Sequence, residues 1–121
     1  MLRILKMNPI VIRVENDAAF GPTAPVGAPC GEPVAQTRTA GHRSVTPQGT
    51  SAGVWECSPG RFRRQVPQAE YSYFISGEGS FTPDGGAPVE FRAGDTIYFA
   101  ADSQGEWHVR QTVRKAYLII A

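Results

Sequence analysis

The chain has 121 residues, a formal net charge of +1, and 19% charged against 10% aromatic residues. That length makes one domain with room for a genuine core, and two Trp, four Tyr and six Phe suit a β-rich one. Balanced charge without a basic stripe argues against a nucleic-acid partner, and no apolar run approaches the ~20 residues that cross a bilayer.

Met1 and Met7 are both candidate starts, and the first six residues are too short and too interrupted for a signal peptide. The expected compartment is the cytoplasm. Cys30 lies in a Gly/Pro loop and Cys57 ends an apolar run, so no disulfide is expected, and Cys57 reads as a small core residue. Residues 9–14 alternate around Ile10, Ile12 and Val14, which predicts a half-buried strand at a sheet edge or across a dimer partner. Residues 17–33 hold Pro22, Pro25, Pro29 and Pro33 with Gly21, Gly27 and Gly31. No regular element survives that density, so residues 1–33 read as an N-terminal strand with a Pro/Gly-rich arm, and residues 34–121 as the single domain.

Residues 34–38 are weakly strand-like, and 41–50 are polar and turn-rich. A strand at 53–57 is followed by a turn at Ser58-Pro59-Gly60 and a strand at 61–66. Arg61, Arg63 and Arg64 there read first as a solvated strand face. An aromatic run at 69–76 ends at Gly77, and short runs follow at 79–82, 88–91 and 96–99. The turn at 83–86 and the break at Ala93-Gly94-Asp95 separate them. Runs at 105–111 and 114–120 complete the chain, with no helical periodicity and no repeats. Strand, turn and strand at this spacing point to an antiparallel barrel or sandwich.

Glu70 followed after six intervening residues by Gly77 matches the end of the first cupin motif. Gly94-Asp95 with an apolar run to Ala100 matches the start of the second. Gly53-Val54-Trp55-Glu56-Cys57, Ser58-Pro59-Gly60 and Trp107 narrow the likeness over residues 53–120. The chain resembles a small single-domain cupin, most similar to the subfamily of ureidoglycine aminohydrolase and the ethanolamine-utilisation Q proteins. The resemblance implies an all-β, cupin-type antiparallel barrel (a jelly roll, or double-stranded β-helix), a homodimer, and a pocket inside the barrel.

Metal-binding cupins line that pocket with three His and one Glu. Carried onto this chain, the Glu position is Glu70, and the His pair falls at Arg64 and Val66, or at Arg63 and Gln65. The third His falls at Gly105, beside Gln104, Glu106, Trp107 and His108, and Gln104 stands near the Gln ligand of the aminohydrolase type. One position of four keeps its ligand, so no metal is expected and the cofactor stays unassigned, because a lone carboxylate does not select a transition metal. His108 reads either as a displaced ligand or base or, if Trp107 points inward, as an outward strand residue. His42 falls in the polar loop, within conceivable reach of the barrel mouth.

Glu70 has two readings. Desolvated among aromatics its pKa would rise and suit general acid or base work; paired with Arg63 or Arg64 it would be a structural plug. Candidate ligand-binding residues are Arg63, Arg64, Gln65, Ser72, Tyr73 and Trp107, with an arginine holding an anionic group through two parallel hydrogen bonds. Alternation puts Ser72 and Phe74 on the face of Glu70, and Tyr73 there only through a bulge. The functional expectation is a hydrolase or isomerase acting on a small polar or nitrogenous metabolite around Glu70. The alternatives are a metal-free module that binds or senses a small molecule, and a degenerate cupin kept for protein assembly.

Overall fold

The structure, a computed structural model, describes residues 8–121. Its strands are β1 (Ala24–Pro25), β2 (Gln36–Ser44), β3 (Ser51–Cys57), β4 (Gly60–Val66), β5 (Ala69–Pro83), β6 (Val89–Arg92), β7 (Thr96–Phe99) and β8 (Ser103–Ile120). All named pairings are antiparallel. A 3₁₀ turn at Asp17–Ala19 precedes them. No helix among the described residues is long and apolar enough to cross a membrane.

Two long strands, β5 and β8, organise the rest. The first half of β5 pairs with β7 and with the second half of β8, and β3 and β2 continue that layer. The second half of β5 pairs with β6 and with the first half of β8, which also carries β4. Each long strand therefore passes from one layer into the other. The sequence reading split each of them in two, at Gly77 and between 111 and 114. The ladder instead runs on through register shifts between Phe74 and Gly79. These bulges bend the strand without ending it. Gly77 sits at the bend with φ +87, and a Cβ there would run into the Thr112 carbonyl. Only glycine satisfies both conditions.

Two further expectations are corrected. Residues 9–14 form no strand; their alternation supplies an apolar side, and Ile12 settles over Gly41 instead of joining a ladder. Residues 41–44, read as loop, continue β2 beyond a bulge between Ala40 and Arg43. The Pro/Gly arm lies on its own chain. Ala24 and Pro25 pair with β2, Phe20 bridges Ala40, Pro29 bridges Phe62, and the Arg63 N–H donates to the Ala28 carbonyl at 3.0 Å. The arm thus covers the free edges of β2 and β4, which would otherwise present unpaired backbone groups.

The core fills the space between the layers. Trp107, 1% exposed, is its centre, with ring centroids of Phe81, Phe91, Phe99 and Trp55 at 5.4, 5.5, 5.6 and 5.8 Å. Among the described residues its buried indole Nε1–H finds no acceptor. Cys57 is buried, and burial pushes its thiol up to about 12.

Candidate functional site

Alternation along β8 sends Val113, Lys115 and Tyr117 inward and leaves Arg114 and Leu118 outside. Register then sets the neighbours. Tyr117 stands between Gly53 and Ser72, and Lys115 between Trp55 and Phe74. Gly53 lacks the Cβ that would strike the Tyr117 hydroxyl, so the phenol lies across β3. Around these residues opens a cavity of about 310 Å³, lined by Thr39, His42, Trp55, Arg64, Glu70, Lys115, Tyr117 and Ile119.

At its floor the Lys115 ammonium donates to Glu70 Oε2 at 2.7 Å, and the Ser72 hydroxyl donates to the same oxygen at 3.0 Å. Lys115 is 5% exposed. Its Nζ lies 4.9, 5.0 and 5.5 Å from the ring centroids of Trp55, Trp107 and Phe99. Three aromatic faces and one carboxylate therefore replace its water. Burial pushes the amine below its ordinary value, against the pull of Glu70. At the rim, His42 Nδ1 and the Tyr117 hydroxyl are 2.6 Å apart. Burial raises the Tyr117 phenol, and the Glu70 carboxylate adds to the rise. Arg64, exposed, lines the mouth with its guanidinium 5.6 Å from the Trp55 ring centroid. Among the described residues it has no carboxylate within salt-bridge distance.

The residues singled out from the sequence divide sharply. Glu70 and Arg64 line the cavity, and Ser72 is buried behind it, in hydrogen bond with Glu70. The partner of Glu70 is Lys115, not Arg63 or Arg64. Arg63 points outward, where its two terminal nitrogens each meet an Asp84 oxygen at 2.8 Å. Gln65 lines two flanking grooves, one beside the arm and one beside Pro67 and Gln68. Tyr73 is on the outer face, 46% exposed, because no bulge intervenes between it and Glu70. Trp107 lies behind the cavity, and His108, next along β8, points out. Lys115 and Tyr117 were not singled out. Their signal was the inward phase of the last strand, where a lysine interrupts an apolar series.

The metal set of the resemblance does not fit these side chains. Arg64 and Gly105, at two of its His positions, are cross-strand partners, and the ammonium of Lys115 already occupies the one carboxylate. A divalent cation at Glu70 would meet that like charge in a poorly screened interior. No group of three His, Cys, Asp or Glu forms among the described residues.

A family model described as the EutQ-like cupin domain matches residues 44–117. No curated protein matches the sequence. Among solved structures, a DUF861-family protein from Thermotoga maritima is 25% identical, over 55% of this chain and 76% of its own, with a TM-score of 0.54. A protein of unknown function from Pseudomonas syringae, of the same family, gives 23% identity and a TM-score of 0.67 over 83% of this chain; the match covers 45% of its length. The EutQ protein of Clostridium difficile gives 18% identity and a TM-score of 0.61, over 91% of this chain and 79% of its own.

Proposed function

We propose, for a chain that belongs to the EutQ-like cupin family, that the barrel mouth binds a small polar metabolite carrying a carboxylate or similar anion. It performs acid–base chemistry there of the hydrolase or isomerase kind, without a metal. One observation carries this reading: the Lys115–Glu70 pair faces an open cavity in which Arg64 keeps an uncancelled positive charge. The pair is neutral as a whole, so the lining is net positive. A guanidinium beside an aromatic face is a fitting receptor for a planar anion. Both recorded bonds to Glu70 fall on Oε2, which leaves Oε1 to a ligand. His42 and Tyr117 add a proton-exchanging couple at the rim. An ectoine synthase from P. lautus is among the structural neighbours, at 17% identity, an instance of small-molecule synthesis on a related fold. A purely assembling role is disfavoured, because the arginines and aromatics leave about 310 Å³ unfilled.

The test is a thermal-shift and NMR screen of small carboxylates against neutral and cationic analogues. Carboxylates raise Tm in the wild type and lose the effect in Arg64→Gln. Binding that ignores charge, or that survives Arg64→Gln undiminished, overturns the reading. We further propose a homodimer, as the family resemblance implies, and a cytoplasmic location. The uncovered outer residues Tyr71, Tyr73, Ile75 and Tyr98 suit the contact. Light scattering on the wild type and Tyr98→Glu reads that directly.

A further inference from the structure

We propose that Lys115 is an imine-forming lysine, and that the ligand class of the cavity is a small carbonyl compound bearing a carboxylate, such as a 2-oxo acid. The inference rests on the anion-binding reading of the cavity and adds a covalent step to it.

The chain contains ten arginines and only two lysines, Lys6 and Lys115. Arginine forms the exposed ion pairs of the described residues. Arginine is always charged; a lysine amine sheds its proton when desolvated and becomes a nucleophile. The lysine stands at the position where three rings exclude water and a carboxylate lies 2.7 Å away. The proton therefore has a short route off the amine, along the existing bond to Glu70 Oε2. In a poorly screened interior the neutral amine and carboxylic acid compete with the ion pair.

The step balances. The freed Nζ lone pair attacks the carbonyl carbon, a C–N bond forms, and the carbonyl oxygen takes up a proton. The proton that the oxygen takes up is the one the nitrogen loses; the protonated Glu70 then donates to the hydroxyl, the C–O bond breaks with release of water, and the nitrogen lone pair closes the C=N bond of a protonated imine beside the Glu70 carboxylate. Amine and carbonyl become imine and water with no oxidant or reductant. Arg64 on the same cavity holds the carboxylate, so the ligand is anchored at one end while Lys115 reacts at the other. Tyr117 and His42 stand where a proton beside the imine carbon can be exchanged.

The experiment is trapping with cyanoborohydride in the presence of glyoxylate or pyruvate, read by intact mass and peptide mapping. Expected is one reduced adduct per chain, on Lys115, with Lys6 and the terminal amine as internal controls for indiscriminate labelling. Its rate rises with pH to a plateau reached below the ordinary lysine value of 10.5, and falls at least tenfold in Glu70→Gln. Lactate, which lacks the carbonyl, protects Lys115 in the wild type and not in Arg64→Gln. An unlabelled Lys115, or one labelled no faster than Lys6, overturns the imine. If lactate still binds in that case, as seen by NMR on the same sample, the anion site stands and only the covalent step fails. If lactate also fails to bind, both fall.

Discussion

Arg114 and Lys115 are consecutive cations on one strand, and alternation gives them opposite fates. Arg114 and Arg38 close on Glu56 from the outer face, at 2.6 and 2.7 Å. Both guanidiniums also lie against the Phe20 ring, at 4.7 and 4.3 Å from its centroid. Burial acts to push the Glu56 carboxyl up, but the hydrogen bonds from Arg38 and Arg114 outweigh it and hold it below the usual range. One position further along, Lys115 faces inward to the single carboxylate of Glu70. The outer cluster fastens the arm to β2, β3 and β8 and stays in contact with water. The inner pair has given up its water and gained only one counter-charge. Pairing of the first kind is a fastening, and pairing of the second kind keeps a proton movable.

The contrast predicts unequal responses to similar mutations. Glu70→Gln strands a buried ammonium and should cost about 3–5 kcal/mol in urea unfolding, whereas the double variant Glu70→Gln/Lys115→Met should regain most of that. Equal losses in the single and double variants would mean that Glu70 is held by something other than Lys115. Arg114→Gln on the outer face should cost only about 0.5–1 kcal/mol, because water takes over from the missing partner. Raising the salt to 1 M should shrink the Arg114 effect and leave the Glu70 effect in place; a common salt dependence would erase the distinction between the two sites.

The last effect is confined to alkaline pH. The folded Cys57 thiol titrates near 12 against an ordinary 9.0, so the folded state holds its proton more tightly. Its contribution to stability is complete below pH 9 and is lost as pH rises toward 12. Alkaline unfolding should therefore be gentler in Cys57→Ala than in the wild type. Parallel curves would assign the alkaline loss to other groups, among them Tyr117, whose phenol is also raised.

Much of the fold was legible because turn residues punctuate alternating runs, and the strands at 53–57, 61–66 and 96–99 lie close to their sequence positions. The bends were misread as ends, since a glycine within a bulge looks the same in sequence as one in a turn. Residues 9–14 failed for the opposite reason, as alternation there records only a half-buried side at Ile12 and Val14, and not a ladder. His42 reads as loop because the second half of β2 is exposed on both faces and carries no period. The site was half legible. Glu70 was found by its spacing to Gly77, and its phase gave Ser72. Lys115 was missed because a lysine is read by default as a solvated charge, although the apolar phase of Val113 and Tyr117 already placed it inside.

The passage of β8 through both layers has a consequence for the nascent chain. β3 and β4 are synthesised well before residues 103–120, yet each needs that strand as a neighbour. Until it emerges from the ribosome, β3 has only β2, and β4 has only the thin cover of the arm. The domain therefore closes late and in one stroke. Chains stalled before residue 103 should be digested by protease along their whole length, and chains that have exposed residue 120 should resist it.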